Sequence, residues 1–205
     1  VNGTTVINDS RALTNIASVD ATTAAAIGAA GVGGAMSLIS TTSLNANVGY
    51  IDVLFPSGYT HYLINILGLV CPLAMNTGGI ESRLLDTSNN PVSGANTYGY
   101  GHGTTGQSDR WRSMGDVGSN TSYYKANFFI EVMSPRDSSV CTNAKCTPLG
   151  AYQNSGSLTI SNINLMGYRD PEQHNGLRIF HQNSSYGSSV SFSSASNKIL
   201  LWGVK

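Results

Sequence analysis

Alternation of apolar and polar residues, beginning near Met36, is the feature that most restricts the fold of this 205-residue chain. The clearest run contains the apolar residues Tyr124, Ala126, Phe128, Ile130 and Val132, and polar residues occupy most of the positions between them. A repeat of two residues places alternate side chains on opposite faces of a β-strand. The sequence therefore predicts strands with one buried and one solvated face.

Further strands are predicted along the rest of the chain, separated by turns rich in Gly, Pro, Asn and Ser. They are expected at Met36–Leu44, Ile51–Phe55, Tyr59–Val70, Ile80–Leu85, Ser157–Met166 with a bulge after Ile160, Leu177–His181, Ser188–Phe192 and Lys198–Val204. About eight or nine strands predict an all-β, antiparallel, jelly-roll-like sandwich. A barrel is the competing architecture.

The first 35 residues differ from the rest because they contain no aromatic residue. Asp20 is a candidate N-cap for an Ala-rich helical segment that ends at Gly31. Such small side chains cannot form a core alone, and an isolated helix of this length is marginal in water. We therefore expect two parts, an oligomerising shaft or stem at 1–35 and a β-sandwich head at 36–205. A flexible leader is the alternative for the first part.

Composition removes several classes of function. Charged residues make up 11% of the chain and its formal net charge is zero, so a basic surface for nucleic acid is not expected. No apolar run reaches the length of a membrane span, and we expect no membrane insertion. Three cysteines make neither a disulfide framework nor, with their spacing, a four-ligand metal set. We expect no metal and no cofactor.

Five segments resemble, in their order, the tail fibres of tailed bacteriophages. The stretch from Val1 to Ile16 resembles the shaft motif that precedes many fibre tips, and later segments resemble strands of the trailing β-sandwich module. These later segments are Leu38–Thr42, Tyr59–Ile64, Asn175–Phe180 and the closing Ile199–Lys205. The long polar stretch Asn183–Asn197 departs from the family, which has a shorter link before its last strand.

The resemblance implies a homotrimer with an interwoven shaft that attaches the virion to its host. Its expected partners are other copies of the chain, other tail proteins of the virion, and polysaccharide or protein on the host cell surface. The expected location is the virion tail fibre, exposed to the extracellular medium.

A stretch between Asn89 and Tyr124 is the candidate binding region, expected to be one long loop. Loops of this length are usually functional or disordered. Flat aromatic rings beside guanidinium groups can stack on sugar rings and bind hydroxyls. The candidate ligand-binding residues are Tyr98, Tyr100, His102, Arg110, Trp111 and Arg112. The alternative is that Trp111 and several tyrosines fill the end of the sandwich or a subunit interface.

Two other functions remain open. A virion structural or decoration protein would need no receptor site. A small glycan-processing enzyme would need two carboxyl groups across a cleft, and Asp109 with Asp116, or Asp170 with Glu172, are the candidate pairs. Both pairs lie in polar segments typical of solvated loops, so we expect a non-enzymatic protein with no catalytic residues.

Overall fold

The computed structural model describes residues 20, 22–23, 26, 36–44, 48–69, 79–94, 97–101, 106–108, 110–116, 126–148, 151–154, 157–160, 164–181 and 197–205. The chain divides into two compact units, Val1–Ala35 and Met36–Lys205. In the first unit, Thr22, Thr23 and Ala26 are helical. The Asp20 carboxylate accepts hydrogen bonds from the amides of Thr22 (2.9 Å) and Thr23 (3.0 Å), which is the geometry of an N-cap.

The second unit is built from β-strands. In chain order they are β1 (Met36–Thr42), β2 (Tyr50–Leu54), β3 (His61–Leu69), β4 (Gly79–Leu85), β5 (Tyr98–Gly101), β6 (Gly106–Ser108), β7 (Trp111–Asp116), β8 (Ala126–Met133), β9 (Asn143–Pro148), β10 (Ala151–Asn154), β11 (Ser157–Ile160), β12 (Asn164–Tyr168), β13 (Gly176–His181) and β14 (Lys198–Val204). No described helix is long and apolar enough to span a membrane.

The strands form two larger antiparallel sheets and one small hairpin. The large sheet has eight strands in the order β1-β14-β3-β8-β9-β12-β5-β6, and the small sheet has four in the order β2-β13-β4-β7. Strands β10 and β11 pair with each other. The predicted all-β sandwich of antiparallel strands is confirmed.

Four strand pairs are nested along the chain. Strand β1 pairs with β14, β2 with β13, β3 with β8, and β4 with β7. Along the chain each pair encloses the next, and alternate pairs fall in different sheets. Two insertions, β5–β6 and β9–β12, interrupt the nested set, and all of their strands except the β10–β11 hairpin extend the large sheet beyond β8.

Two sequence predictions about strands were wrong. The stretch from Asn89 to Tyr124 is not one long loop, because it contains β5, β6 and β7. The stretch Ser157–Met166 is not one bulged strand. It holds parts of β11 and β12, which belong to different sheets, and the change of apolar parity after Ile160 falls between them. The predicted strand at Ser188–Phe192 lies outside the described residues.

The inner faces of the two sheets share one hydrophobic core. In β3, Tyr62, Ile64 and Ile66 are fully buried. They belong to the same cluster as Ile51 and Val53 of β2 in the small sheet. Burial of each such side chain contributes about 1.5–3 kcal/mol. The core therefore lies between the sheets and holds them together.

The outer faces of the two sheets differ in chemistry. On the small sheet, the Arg178 guanidinium makes two 2.7 Å hydrogen bonds to Asp52 and lies 3.9 Å from the centre of the Tyr50 ring. On the large sheet, one continuous cross-strand row crosses six strands, and paired residues of such a row share a face. The row consists of Leu38, Trp202, Leu63, Glu131, Lys145 and Leu165.

This apolar outer face is defined by Met36, Leu38, Leu63, Leu165 and Trp202. Leu165 is 60% exposed, and Met36 and Leu38 are each 49% exposed. An outward face of a sandwich is ordinarily polar, because only the inner face packs on the core. The large sheet therefore presents apolar side chains on both of its faces.

Gly176 at the start of β13 provides a test of the sheet register. A Cβ atom there would lie 2.6 Å from the Val53 carbonyl oxygen and 3.3 Å from the Leu54 Cα, both backbone atoms of β2. We expect Gly176→Ala to lower the free energy of unfolding by about 1–3 kcal/mol, because β13 must move away from β2. Urea denaturation followed by tryptophan fluorescence measures this change.

Gly99 of β5 is the matched control. The nearest atom to a Cβ there is the Gly167 carbonyl oxygen at 3.8 Å, an ordinary contact. Gly99→Ala should be neutral or stabilise by up to about 1 kcal/mol, because Ala loses less backbone entropy on folding. Equal effects of the two substitutions would contradict the assigned β2–β13 register.

Candidate functional site

Two of the predicted ligand-binding residues, Tyr98 and Trp111, lie in the core. Both side chains are fully buried, and their ring centres are 5.6 Å apart in an edge-to-face arrangement. The Trp111 Nε1–H donates a hydrogen bond to the Gly167 carbonyl (3.0 Å). The Tyr98 hydroxyl donates to the Val92 carbonyl (2.9 Å) and accepts from the Leu84 amide (3.1 Å). Their polar atoms are thus used within the fold, as buried aromatic residues require.

These contacts correct the expectation of an exposed aromatic loop for Tyr98 and Trp111. A fully buried ring offers no face for a sugar to stack on, and the packing alternative describes both residues. Arg110 also points to an internal partner, because its Nε lies 2.8 Å from a Glu81 carboxylate oxygen and the side chains are 16% and 4% exposed. Tyr100 lies on β5 and Arg112 on β7, while His102 falls outside the described residues.

Replacement of Trp111 tests this assignment. We expect Trp111→Ala to lower the free energy of unfolding by about 3–5 kcal/mol, because it leaves a cavity between the sheets. Tyr50→Ala is the control, since Tyr50 is 51% exposed and its contact with Arg178 should contribute about 1 kcal/mol or less. Chemical denaturation monitored by far-UV circular dichroism measures both. An unchanged midpoint in Trp111→Ala would show that the indole is not core.

A second buried cluster joins His174, Thr142, Glu172 and Tyr168. The Thr142 hydroxyl oxygen lies 2.9 Å from His174 Nδ1, and Glu172 Oε1 lies 3.2 Å from His174 Nε2. The Tyr168 hydroxyl donates to the same Glu172 oxygen (2.5 Å). Because the carboxylate only accepts, the neutral imidazole carries its proton on Nε2 and accepts from Thr142 at Nδ1.

The order hydroxyl, imidazole, carboxylate resembles that of a nucleophilic relay. Burial, however, decides what this cluster can do. Thr142 and His174 are both fully buried, so no substrate reaches the Thr142 hydroxyl in this fold. Burial also lowers the pKa of His174, against the opposing effect of Glu172. The cluster is therefore a hydrogen-bonded support for the loop that leads into β13.

The lowered pKa of His174 implies a pH-dependent stability. A histidine whose pKa is lower in the folded chain than its unfolded value of about 6.5 binds more protons when unfolded, so stability falls as the pH drops below about 6.5. We expect wild type to lose up to about 1.4 kcal/mol per pH unit more than His174→Gln between about pH 6.5 and the folded-state pKa. Urea titrations at several pH values measure the two slopes. Identical slopes would contradict the assignment.

The candidate carboxylate pairs of the enzyme alternative are only partly described. Asp170 forms a surface ion pair with Arg169 (3.0 Å), and Glu172 accepts from Tyr168 and His174. Asp109 lies outside the described residues, and Asp116 is the last residue of β7.

A polar cleft lies where two connections meet, and we name it the end cleft. The β2–β3 connection contributes Tyr59 and Thr60, and the segment after β8 contributes Ser134, Arg136, Asp137 and Ser138. Together they enclose about 350 Å³, at the small end of the range of about 300–1,000 Å³ for small-molecule sites.

Backbone hydrogen bonds fix the walls of the end cleft. The Thr60 amide donates to the Val204 carbonyl (2.8 Å), and the Ser134 amide donates to the Thr60 carbonyl (2.9 Å). The His174 amide donates to the Pro135 carbonyl (2.6 Å), which links the cleft to the buried cluster. Ser134 has a positive φ of 53°, a conformation that costs non-glycine residues energy and recurs at functional sites. The cleft is thus held in one shape by main-chain contacts.

The side chains of the end cleft offer both donors and acceptors. Arg136 Nη1 donates to Asn175 Oδ1, while Arg136 Nε is buried and has no hydrogen-bond partner among the described residues. Asp137 Oδ1 accepts from the amide (2.8 Å) and hydroxyl (2.6 Å) of Ser139. These bonds lower the pKa of Asp137, so it is ionised at neutral pH.

Tyr59 supplies the aromatic wall of the end cleft. A Cβ atom at Gly203 would meet the Tyr59 ring at 2.3–2.7 Å, so one face of the ring lies directly on the Gly203 backbone. Its edge contacts Tyr62, with ring centres 6.0 Å apart. The ring is half-buried. The glycine thus fixes the position of the aromatic wall.

No residue of the end cleft is among the ligand-binding residues predicted from the sequence. The only local signals were turn residues, in Pro56-Ser57-Gly58 and in the stretch from Ser134 to Ser139. Their contact depends on the β3–β8 pairing, which joins segments that are far apart in the chain.

A second, smaller crevice of about 220 Å³ lies between the edges of the two sheets. It is lined by Ser40, Thr42, Ile51, Asp52, Val53, Leu54, Ile199 and Leu201. Its lining is mainly apolar and lacks an aromatic ring and a cation. It offers fewer directed polar groups than the end cleft.

Comparisons with family models, with curated proteins and with solved structures find no match to this chain.

Proposed function

We propose that this chain is a self-associating, non-enzymatic module of a bacteriophage tail fibre that attaches the virion to saccharide on the host surface. The family resemblance of the ordered segments supports the fibre assignment. The apolar outer face of the large sheet is the structural observation that carries the proposal, because exposed apolar surface of this kind is typical of interaction sites. Under this proposal the chain is part of the virion, contacts other tail proteins and is exposed to the extracellular medium.

The nested pairing supports the finer prediction of a jelly roll. Such a fold contains eight strands in two sheets, made by rolling one long antiparallel hairpin. The four nested pairs β1–β14, β2–β13, β3–β8 and β4–β7 supply that hairpin. We infer a jelly roll enlarged by two insertions, which widen one sheet and leave the other at four strands.

The size and chemistry of the apolar outer face support a second copy of the chain as its partner. The cross-strand row that carries this face is six strands wide and spans about 25 Å at about 4.8 Å per strand, with the charged residues Glu131 and Lys145 between its apolar ends. A standard interface of about 800 Å² per partner is about 28 Å on a side. Glu131 and Lys145 are directly paired within this face, and the chain has no net charge. Identical copies therefore approach without electrostatic repulsion, and three copies are what the family resemblance implies.

Multiple copies also suit attachment. Linked identical sites gain effective concentration, so that weak binding by one site becomes strong binding by the assembly. The non-enzymatic part of the proposal is supported by the buried relay, in which the Thr142 hydroxyl is fully enclosed.

A virion structural or decoration protein is the second candidate. The burial of Tyr98 and Trp111 favours it, because these residues were the strongest sequence argument for an exposed receptor surface. Both candidates require self-association or docking, and they differ only in binding to host cells.

Self-association is tested with charges placed on the apolar outer face. We expect wild type to sediment as a trimer at micromolar concentration, and Leu38→Glu combined with Leu165→Glu to weaken assembly at least tenfold, because both charges would be buried. Sedimentation equilibrium measures the mass. Leu54→Glu is the control, since Leu54 is 52% exposed on the outer face of the small sheet and should remain trimeric.

Attachment is tested by binding of fluorescently labelled chain to candidate host cells. The proposed function requires labelling that falls when surface polysaccharide is stripped. A monomeric wild type would refute self-association, and a trimer that labels no host strain would favour the structural candidate.

A further inference from the structure

We infer that the end cleft is a subsite for a neutral saccharide, in which Arg136 donates to, and Asp137 accepts from, adjacent sugar oxygens beside the Tyr59 ring. This inference rests on the proposed function, and it names the surface and the class of ligand. It places the proposed binding site at the β2–β3 connection and the segment after β8, and not in the stretch 98–112 where the sequence predicted it.

The Arg136 guanidinium uses only part of its hydrogen-bonding capacity within the chain. Nη1 donates to Asn175, and Nε is enclosed without an acceptor among the described residues. The enclosed Nε is out of reach of a ligand, but a guanidinium carries five N–H donors, and Nη1 is the only atom bonded to the described part of the chain. Because Arg136 lines the cleft, its Nη2 is the group that can donate to an oxygen atom of a bound ligand.

Asp137 provides the complementary group. Its Oδ1 accepts two hydrogen bonds from Ser139, while Oδ2 makes no hydrogen bond within the described part of the chain. An ionised carboxylate only accepts hydrogen bonds, so Oδ2 is suited to a hydroxyl donor. Sugar hydroxyls both donate and accept, and two neighbouring hydroxyls can therefore satisfy Asp137 and Arg136 together.

The charge of the cleft selects among ligands. The cleft is lined by one guanidinium, one carboxylate and hydroxyl groups, so its formal charge is zero. An anionic ligand would gain from Arg136 and lose from Asp137, whereas a neutral polyol meets both. The half-buried Tyr59 ring adds an apolar surface against which the C–H groups of a sugar can pack.

The shape of the cleft is set before a ligand arrives. Main-chain hydrogen bonds join Thr60 to Val204 and to Ser134, and the Tyr59 ring packs against the Gly203 backbone. Groups fixed in this way lose little conformational entropy on binding. A small rigid subsite of this kind is suited to weak recognition of one part of a longer polysaccharide.

Saturation-transfer NMR of the full chain tests the inference. The probes are neutral oligosaccharides of glucose, galactose, mannose and rhamnose, with glucuronate-containing oligosaccharide and inorganic phosphate as charged probes. We expect transfer to the ring protons of at least one neutral probe. Asp137→Asn and Arg136→Gln should each weaken its affinity at least tenfold, because each removes one of the two directed contacts.

Two comparisons keep this result separate from loss of folding. Asp170→Asn removes an exposed carboxylate that is paired with Arg169 outside the cleft, and it should bind like wild type. Arg136→Gln also loses the bond to Asn175 and can destabilise the chain. Asp137→Asn, whose side chain is exposed and keeps an oxygen for Ser139, is therefore the deciding variant, with its thermal midpoint recorded.

The outcomes separate the site from the function. Binding of charged probes alone, or equal binding by wild type and Asp137→Asn, overturns the inference. If wild type labels host cells and Asp137→Asn labels them equally, the proposed function stands and the end cleft is not its site. If wild type binds a neutral probe through Asp137 but labels no host cells, the subsite stands and the attachment function fails.

Discussion

The large sheet has eight strands, whereas the small sheet that packs on it has four. Strand β7 of the small sheet makes contacts with the additional strands of the large sheet. Strand β7 forms the edge of the small sheet and touches β5, β9 and β12 of the extension. Trp111, at its start, makes this contact with a fully buried indole that binds the Gly167 carbonyl of β12. A smaller side chain at this position would leave a cavity between β7 and the added strands. The packing of the added strands against the small sheet therefore depends strongly on this one residue.

The aromatic side chains continue from Trp111 toward the end of the sandwich. The Tyr98 ring contacts Trp111 and also Tyr168 (5.1 Å between centres), and Tyr168 contacts His174 (4.7 Å). His174 in turn holds Pro135 through its amide, next to Arg136 of the end cleft. The core and the proposed subsite are thus joined by one continuous set of buried contacts. This continuity provides a rigid base for the cleft, as binding sites on loops require.

The surface of the sandwich differs in chemistry from one part to another. Ion pairs and cation–π contacts occupy the outer face of the small sheet, where Arg178 joins Asp52 and Tyr50. Exposed apolar side chains such as Leu38 and Leu165 lie on the outer face of the large sheet, and polar residues line the end cleft. The proposed assembly surface and the proposed subsite therefore consist of different side chains.

The sequence by itself determined the class of the fold, because the two-residue period and the turn residues are local properties. It placed β3, β4, β8, β13 and β14 within a few residues, and it placed the Asp20 N-cap. It could not separate β11 from β12, since a parity change looks the same for a bulge and for a break between strands.

Only the tertiary structure decided which residues are inside and which come together. Trp111 and Tyr98 are residue types that commonly line binding loops. They are buried here because they pack between the small sheet and the added strands of the large sheet. Tyr59 and Arg136 are adjacent because β3 pairs with β8, and this pairing is set by the packing of the whole core. Local pattern carries no information about contacts between segments so far apart in the chain, and the end cleft consists of such contacts.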